Sequence, residues 1–393
     1  NDRTSNLADE VDAEPQRGWS DDSLLEFDIK RARQIQNIKD IDSKDKKLII
    51  SDNQKEYLYH WKLKSKLEAK YKNIVLEFNY PVETHANFSK DEFYSYQWNF
   101  PAISAESGLD AVGQETKDIV VAVLDTGSPP TNSDAWASSA FISGGVNFIN
   151  SDFDPTDPLA SGNLYTNGKQ NTSHGTHVGT TIAAKNDGND INGFGVKVLP
   201  IKVIETGNID SALLTVVNGI KYASGASNAS GQVAPTSEGP VKVINMSLSF
   251  PGWYYSSCPT ILQNAIDYAV SQGITVVAAS GNSAKSFPGI TNWPAGCNNV
   301  TSVGNIQEDL IIADSSDFNS SVDISAPGTY IPAWDRYNRV EYMSGTSMAA
   351  PIVSGVIANM YALDSGLTPS EVDTYIAAGS FSYDLGDSGR DDK

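Results

Sequence analysis

The sequence is poor in several residue types that would otherwise direct its interpretation. It has two cysteines, Cys258 and Cys297, too few for a zinc ribbon or a disulfide-rich scaffold but enough for one bridge. No run approaches the roughly 18 consecutive apolar residues of a membrane-spanning helix, so no membrane is expected as a partner. Basic residues are also scarce, since 28 Lys and Arg stand against 48 Asp and Glu. The net charge of -20 excludes nucleic acid, because phosphates would repel so acidic a protein.

The composition that remains is that of an ordinary globular protein. With 393 residues, 40% of them apolar, the chain can bury a substantial core and fits one large domain plus a smaller piece. Residues 1–20 are polar, acidic and aperiodic, which predicts a disordered arm. Between residues 21 and 90, Lys-rich helical material precedes the alternating run IVLEFNY. This pattern predicts a small α+β unit.

After about residue 91, strand and helix patterns alternate. Most of the strand runs are nearly continuous in Val, Ile and Ala, as is typical of strands buried on both faces of a parallel sheet. These runs are DIVVAVLD (118–125), GVKVLPIKVI (195–204), VKVINMSL (241–248), ITVVAAS (274–280) and NNVTSVG (298–304). The helical patterns between them are HVGTTIAAK, SALLTVVNGIKYA, TILQNAIDYAVSQG and SMAAPIVSGVIANMYA. The alternation predicts that residues 91–393 form a doubly wound α/β domain with helices on both faces of a parallel sheet.

Two residue types with catalytic potential lie at the ends of these predicted elements, where α/β domains collect their functional groups. Asp125 follows the first strand directly, although an Asp in this position is also typical of a plain turn. Two of the chain's four histidines, His174 and His177, begin an apolar helix. Their spacing puts both on one helix face, so either is a candidate base and the pair is a candidate metal site without the HExxH glutamate.

Ser347 lies at the start of the last apolar helix. A serine there is most often a helix cap. The helix N-terminus also supplies N–H groups and a positive dipole end, which would stabilise an oxyanion beside the serine. A nucleophile, a base and a carboxylate are the groups that acyl transfer needs. Because the serine comes last in the chain, the order excludes an α/β-hydrolase, whose serine comes first within GxSxG.

Three motifs, DTG (125–127), HGTHVG (174–179) and SGTSMAAP (344–351), resemble in sequence and order those of the subtilisin-like serine proteases, or subtilases, of the bacterial extracellular type. The resemblance covers about residues 95–385. It implies a secreted serine endopeptidase that cleaves proteins through an acyl-enzyme intermediate. A catalytically silent subtilase fold that serves as a binding module is the alternative, and the three intact motifs argue against it.

The resemblance also assigns roles to single residues. It makes Asp125, His174 and Ser347 the triad, leaves His177 as a structural residue and makes Asn282 the oxyanion-hole donor. In this family, a substrate peptide binds as an added strand between two edges of the protein. Those edges are Ser247, Leu248 and Ser249 on one side and Gly207, Asn208 and Ile209 on the other, with Asn292 at the pocket floor. Ser249 stands where the family usually has glycine, so the primary specificity stays open.

By the same resemblance, the chain binds a structural calcium ion and needs no catalytic cofactor. The implied ligands are side chains and carbonyls of Gln97, Asp134, Asp187, Asn189, Ile191 and Gly193. These hard oxygens suit Ca²⁺. The acidic segment SDFDPTDP, with Asp152, Asp154 and Asp157, is either a solvated loop or a second ion site.

The resemblance implies three further features. Cys258 and Cys297 form a disulfide, with two buried free thiols as the alternative. Residues 21–90 are the protein's own propeptide, an intramolecular inhibitor and chaperone, rather than a non-inhibitory extension. The mature enzyme is a monomer. The sequence also stops at DLGDSGRDDK, where relatives usually continue into a Gly-Tyr-Gly segment, which implies a shortened copy of the domain.

Overall fold

The protein was analysed as a computed structural model, which describes residues 13–18, 25–29, 91–113, 117–157, 165–166, 169–170, 173–188, 190–205, 213–253 and 255–379. The chain divides into two compact units, Asn1–His85 and Ala86–Lys393. The helix and the strand that the sequence predicts between residues 30 and 90 lie outside the described residues.

The first unit contains a β-hairpin. Strand β1 (Ala13–Gly18) pairs antiparallel with β2 (Leu25–Ile29), and the register is irregular between Pro15 and Arg17. Residues 13–18 were expected to belong to a disordered arm. The expectation rested on side-chain polarity, whereas strand pairing is made by backbone groups that every non-proline residue carries.

The second unit holds the remaining elements. In chain order they are a short 3-10 helix (Tyr94–Tyr96), α1 (Asn99–Ala102), α2 (Ala105–Val112), β3 (Lys117–Asp125), α3 (Asp134–Ala137), β4 (Val146–Asn147), β5 (Tyr165–Thr166), β6 (Lys169–Gln170), α4 (His174–Ala183), β7 (Val196–Lys202), α5 (Leu213–Ser224), β8 (Val241–Met246), α6 (Thr260–Ser271), β9 (Thr275–Ala279), β10 (Thr301–Ile306), β11 (Ile324–Pro327), β12 (Ile331–Trp334), β13 (Val340–Met343), α7 (Thr346–Leu363) and α8 (Pro369–Ala377). The five predicted strands correspond to β3, β7, β8, β9 and β10, and the four predicted helices to α4, α5, α6 and α7.

Seven parallel strands form the main sheet in the order β11-β10-β9-β8-β3-β7-β4, which confirms the doubly wound α/β fold. From β3 the chain moves outward to β4 and β7, returns to β8 on the other side of β3, and continues to β11. The direction of winding therefore reverses between β3 and β8. In such sheets the carboxyl ends of the strands leave a crevice at this switch point, where ligands bind.

Both faces of the sheet are covered, because successive side chains of a strand point to opposite sides. Val121 and Val123 of β3 belong to the apolar layer that includes α4 and α7. Val120 and Leu124 belong to the opposite layer, which includes α5 and α6. Burial on two faces is why the strands have almost continuous apolar sequences.

Helix α7 is buried on nearly all sides within the first of these layers. Gly355 permits close contact there, since a Cβ at this position would lie 2.3 Å from Cγ of Phe194. Among the described residues, α7 alone has the length and mean hydropathy of a membrane span. However, 67% of it is buried inside the fold. Packing in the core accounts for its apolar sequence.

Cys258 and Cys297 are joined by a disulfide, as the resemblance implies. The bridge links the start of α6 to the loop before β10 and spans 39 residues of sequence. In the chain-entropy description, closing a loop of this length stabilises the fold by about 4 kcal/mol. The loop before β10 also carries Asn292, so the bridge restrains a segment next to the switch point.

Candidate active site

The carboxyl end of β3 and the first residue of α4 meet at the switch point. Asp125 is buried, and Nδ1 of His174 lies 2.8 Å from Oδ1 and 3.0 Å from Oδ2 of its carboxylate. The hydroxyl of Thr126 accepts the N–H of Gly175 at 2.9 Å, which ties strand to helix. Gly175 is required because a Cβ would lie 2.3 Å from the carbonyl oxygen of Gly127. The imidazole of His174 is therefore held on the carboxylate while 25% of its side chain stays exposed.

His177 has a different environment from His174. It is fully buried, and its Nε2 lies 2.9 Å from the carbonyl oxygen of Ile331 and 3.2 Å from that of Glu341. Because both partners are acceptors, Nε2 carries the proton. Burial, and then the charge of His174, lower the pKa of His177 to about 4. His177 is thus a neutral residue that joins α4 to β12 and β13, and His174 is the member of the pair that contacts a carboxylate.

Ser347 lies in the first turn of α7 and exchanges two hydrogen bonds with Ser247, which follows β8. The Ser347 hydroxyl donates to the carbonyl oxygen of Ser247 at 3.1 Å, and the Ser247 hydroxyl donates to the carbonyl oxygen of Ser347 at 2.7 Å. The substrate contact predicted for Ser247 stays a prediction, and the structure shows Ser247 bonded to the candidate nucleophile. The hydroxyl of Ser347 must leave the Ser247 carbonyl before it can react.

Pro351 explains why Ser347 needs the hydroxyl of Ser247. In an α-helix the N–H of residue 351 would bond to the carbonyl of residue 347, and proline has no N–H. The Ser247 hydroxyl supplies the missing donor. Ser247 accepts in turn from Nδ2 of Asn245 at 3.1 Å, and Oδ1 of Asn245 accepts from the hydroxyl of Ser354 at 2.9 Å. A chain of hydrogen bonds thereby fixes the end of β8 to the first turns of α7.

Asn282 follows β9 and faces the start of α7. Its Oδ1 accepts the N–H of Thr346 at 3.0 Å and the hydroxyl of Thr346 at 3.3 Å, which leaves Nδ2 free to donate elsewhere. Gly345 makes this approach possible, since its φ is +151° and a Cβ would lie 3.2 Å from Nδ2 of Asn282. Ser347 is the second residue of α7, and the first N–H groups of a helix have no partner within it, so the N–H of Ser347 is a second donor at the helix N-terminus.

A buried charge cluster lies behind the carboxyl end of β3. Asp157 is fully buried, with its Oδ1 3.3 Å from Nη1 of Arg336 and 3.5 Å from Nζ of Lys202. Its Oδ2 accepts from the hydroxyl of Thr126 at 3.2 Å. Burial raises the pKa of Asp157 to about 6, although the two cations lower it. Its negative charge also raises the pKa of His174.

This cluster corrects the reading of the acidic segment SDFDPTDP. Asp157 is neither solvated nor available to a second calcium ion, because two cations and a hydroxyl already occupy its oxygens. Asp152 and Asp154 instead accept the backbone N–H groups of Asp154 and Thr156 at 3.1 Å and 3.0 Å. No pattern in the sequence indicates this cluster, since Lys202 and Arg336 are far from Asp157 along the chain.

The predicted substrate edges are only partly described. Leu248 is buried and Ser249 is exposed, while Gly207, Asn208 and Ile209 lie outside the described residues. Asn292 is buried and bridges two segments. Its Nδ2 donates to the carbonyl of Ser280 at 3.0 Å and to Asp317 at 2.6 Å, and its Oδ1 accepts the N–H of Gly252 at 3.2 Å. Both amide hydrogens of Asn292 are thus already used within the protein.

Of the predicted calcium ligands, Asp187, Ile191 and Gly193 lie in the loop after α4, and Gln97 is bonded to this loop. The side chain of Gln97 accepts the N–H of Asn192 at 2.7 Å and donates to its carbonyl at 2.9 Å. Burial, and then the charges of Glu92, Asp187 and Asp134, raise the pKa of Asp190.

Ile191 and Gly193 are buried in this loop, whereas Asn189 lies outside the described residues. Within the described part of the chain, no three His, Cys, Asp or Glu side chains converge on a metal position. The carboxylate and carbonyl oxygens present are of the type that Ca²⁺ prefers, so their chemistry fits the ion.

A parallel α/β fold with a carboxylate, an imidazole and a serine hydroxyl at its switch point defines a candidate hydrolase with a serine nucleophile. The profile of the Subtilase family (peptidase S8) matches residues 116–389. The chain therefore belongs to the subtilase family.

Named relatives agree with this assignment. An extracellular protease of Xanthomonas campestris pv. campestris is 34% identical over 74% of this chain and 53% of its own length. Subtilisin DY of Bacillus licheniformis is 29% identical over 74% of this chain and 93% of its own length. A solved protease structure from Pseudoalteromonas arctica covers 74% of this chain and 92% of its own, with a TM-score of 0.62 and 30% identity. The chain spans about half the length of the extracellular proteases of Xanthomonas and Dichelobacter nodosus that it matches.

The hydrogen bond from Ser247 to the carbonyl that Pro351 leaves without a donor predicts an effect on stability. Ser247→Ala leaves the carbonyl of Ser347 without its donor, and we expect the free energy of unfolding to fall by about 1 to 3 kcal/mol. Pro351→Ala restores an N–H to the helix, so the double variant should be more stable than the sum of the single effects predicts. Urea unfolding of all four proteins, each carrying Ser347→Ala against self-digestion, measures this coupling. Strictly additive effects would contradict the assigned role of Ser247.

Proposed function

We propose that this protein is a secreted serine endopeptidase, which hydrolyses peptide bonds in proteins through an acyl-enzyme intermediate. The observation that carries the proposal is the contact of His174 Nδ1 with Asp125 at the switch point, together with Ser347 in the first turn of α7, where it bonds to the residue that follows β8. Relatives named extracellular protease support both the activity and the secretion. The proposed form after processing is a monomer.

The proposed reaction starts from the neutral imidazole. Because Nδ1 of His174 donates to Asp125, Nε2 is the unprotonated nitrogen and takes the hydroxyl proton of Ser347. Oγ bonds to the substrate carbonyl carbon, and the π electrons move to the carbonyl oxygen. Nδ2 of Asn282 and the N–H of Ser347 stabilise this oxyanion.

Collapse of the tetrahedral intermediate breaks the C–N bond. The leaving amine takes the proton from Nε2 of His174, and the acyl group stays on Ser347 as an ester. Water then attacks the ester with His174 again as the base, which returns the serine hydroxyl and releases the acid. Asp125 keeps the ring in one tautomer and stabilises its charged form throughout.

Substrate is proposed to bind as an extended strand along Ser247, Leu248 and Ser249, with Gly207, Asn208 and Ile209 as the facing edge. Main-chain hydrogen bonds would supply most of the affinity in this mode. Ser249 is exposed, so its side chain is accessible to a bound peptide. The side chain of Asn292 packs between the segments after β8 and β9, which supports its assignment to the pocket floor.

The assignment of Ser347 as the nucleophile is tested by Ser347→Ala. We expect the wild-type protein to cleave a peptide library and to be labelled by a fluorophosphonate probe at Ser347, and the variant to do neither. Ser344→Ala in the same segment is the matched control and should retain both properties. Folded wild-type protein that is neither active nor labelled would favour a silent binding module.

The same preparations test the proposed propeptide, residues 21–90. Incubation of the purified wild-type chain with Ca²⁺ should produce a new N-terminus between about residues 85 and 95, where the propeptide-like sequence ends. N-terminal sequencing detects this end, which should not form in the Ser347→Ala protein. Processing far from this range would contradict the boundary.

The electrostatics of His174 predict the pH dependence of catalysis. Burial lowers the pKa of His174, and the charge and hydrogen bond of Asp125 raise it by more, so that it lies above the ordinary 6.5. The base must be neutral, so the rate should fall as the pH drops through that raised value. Asp125→Asn should move this acid limb to lower pH and reduce kcat about 10⁴-fold, because the amide favours the wrong tautomer.

Steady-state rates between pH 5 and 9 measure both effects. The matched control is Asp118→Asn, because Asp118 lies on the same strand with 88% of its side chain exposed. The acid limb of the Asp118→Asn variant should lie at the same pH as that of the wild-type protein. An acid limb that does not move in Asp125→Asn would show that another group controls the rate.

We further propose a structural calcium ion at the loop after α4, held by the side chains of Gln97, Asp134 and Asn189 with the carbonyls around Asp187, Ile191 and Gly193. The ion would neutralise the carboxylates that crowd this loop. The negative charges that surround Asp190 support the proposal. This loop is tied to Gln97 near the start of the described domain, so the ion would stabilise the domain.

Removal of calcium tests this site. We expect EDTA to lower the Tm of the Ser347→Ala protein and added Ca²⁺, but not Mg²⁺, to restore it, because the site offers many flexible oxygen ligands. Asp134→Asn, which removes the proposed carboxylate ligand, should weaken the response to Ca²⁺, whereas Asp309→Asn, at a site distant in sequence, should not. A Tm that is independent of Ca²⁺ would remove the ion from the assignment.

A further inference from the structure

Asp317, in the loop between β10 and β11, contacts the segment that carries Asn282. We name residues 280–283 the oxyanion loop. The Asp317 N–H donates to the carbonyl of Gly281 at 2.8 Å, and Oδ1 of Asp317 accepts the N–H of Ser283 at 2.7 Å. These two bonds hold the residues on either side of Asn282. One aspartate therefore restrains both ends of the peptide units that orient the Asn282 side chain.

Further bonds complete the attachment. The hydroxyl of Ser280 donates to the carbonyl of Asp317 at 3.0 Å. Nδ2 of Asn292 donates both to Oδ2 of Asp317 at 2.6 Å and to the carbonyl of Ser280 at 3.0 Å. Every residue of the oxyanion loop except Asn282 is thus bonded to Asp317. Asn282 keeps its own side chain for Thr346 and for substrate.

Close packing removes the remaining freedom of the loop. Gly281 has a φ of +117°, and a Cβ there would lie 2.3 Å from Oδ2 of Asp317 and 2.3 Å from Nδ2 of Asn292. The carboxylate therefore occupies the space in which another residue would place its side chain. Only glycine allows the backbone to press against Asp317 in this way.

The charge of Asp317 makes its bonds strong and its burial costly. Hydrogen bonds to a carboxylate are stronger than those to a neutral acceptor. Asp317 is 1% exposed, and burial raises its pKa to about 6 although the bonds from Ser283 and Asn292 lower it. A carboxylate behind an oxyanion hole also repels the negative charge that forms there. Its contribution must therefore come from geometry rather than from its charge.

We propose that Asp317 is a positioning residue, which holds Asn282 in the orientation that stabilises the oxyanion. The proposal rests on the proposed function, because it needs an oxyanion to form. Nδ2 of Asn282 must lie within hydrogen-bond distance of an atom that becomes charged only in the transition state. Small displacements of the oxyanion loop weaken that bond without affecting the binding of the ground-state substrate.

The first test is Asp317→Asn, which keeps the size of the side chain. The asparagine can still accept the N–H of Ser283, but its amide then faces the amide of Asn292, so one hydrogen bond is lost. We expect kcat to fall about tenfold, as for the loss of one such bond, and KM to change less than twofold. Asp314→Asn, in the same loop with an exposed side chain, is the control and should change neither.

A double-mutant cycle with Asn282→Ala distinguishes positioning from a general structural role. Asn282→Ala alone should lower kcat about 10²- to 10³-fold, the loss measured when a subtilisin loses this kind of donor. In that background Asp317→Asn has no donor left to position and should lower kcat less than twofold. An equal fall in both backgrounds, or a rise in KM that matches the fall in kcat/KM, would overturn the proposal.

Inhibitor binding gives a second readout. The Kd of a peptide boronate, which forms a tetrahedral anion on Ser347, should rise about tenfold in Asp317→Asn, while the Kd of the product peptide stays unchanged. Asp317→Ser, which is small enough to spare Gly281, repeats the test if the first variant does not fold. Active wild-type protein with unaltered variants refutes the role of Asp317 alone, whereas wild-type protein without labelling or hydrolysis refutes the proposed function.

Discussion

The burial of helix α7 determines where the candidate nucleophile lies. The helix is apolar on nearly every side and is stable only in the apolar layer that it shares with α4 on one face of the sheet. Its first turn then reaches the carboxyl end of β8, next to the point where the winding direction of the sheet reverses. Ser347 is carried to the switch point by the packing of residues that take no part in chemistry. The same burial makes α7 resemble a membrane span in composition.

Two local features allow the backbone segments around the first turn of α7 to approach each other closely. Pro351 leaves the carbonyl of Ser347 without a helical donor, and Ser247 supplies one from the end of β8. Gly345 and Gly281 have no side chains, so the side chain of Asn282 can lie against the backbone of Gly345 and that of Asp317 against the backbone of Gly281. These contacts connect the segments after the strands to α7 and to the oxyanion loop. The rigidity of the candidate site therefore comes from residues that would not react with substrate.

The sequence predicted those features that depend on neighbouring residues in the chain, and it did not predict those that depend on tertiary contacts. Fully buried parallel strands have continuous apolar sequences, so β3, β7, β8, β9 and β10 were recognisable, whereas β4, with two residues, was too short. Asp125 and Ser347 could be selected because they end or begin such elements. His174 could not be separated from His177 without the family resemblance, since their environments differ only through tertiary contacts. The Asp157 cluster was missed because composition counts charges and does not pair them.

Three buried carboxylates lie around the candidate site, and they differ in the groups that offset the cost of burying their charge. Asp125 holds an imidazole, and Asp157 has two cations within 3.5 Å. Among the described residues, the carboxylate of Asp317 accepts from the N–H of Ser283 and the side-chain amide of Asn292, and both of these donors are neutral. Burying a charge against neutral donors is costly, because no opposite charge offsets the loss of hydration. Such a carboxylate remains favourable only while its hydrogen bonds are well formed, so the oxyanion loop and Asp317 keep each other in place.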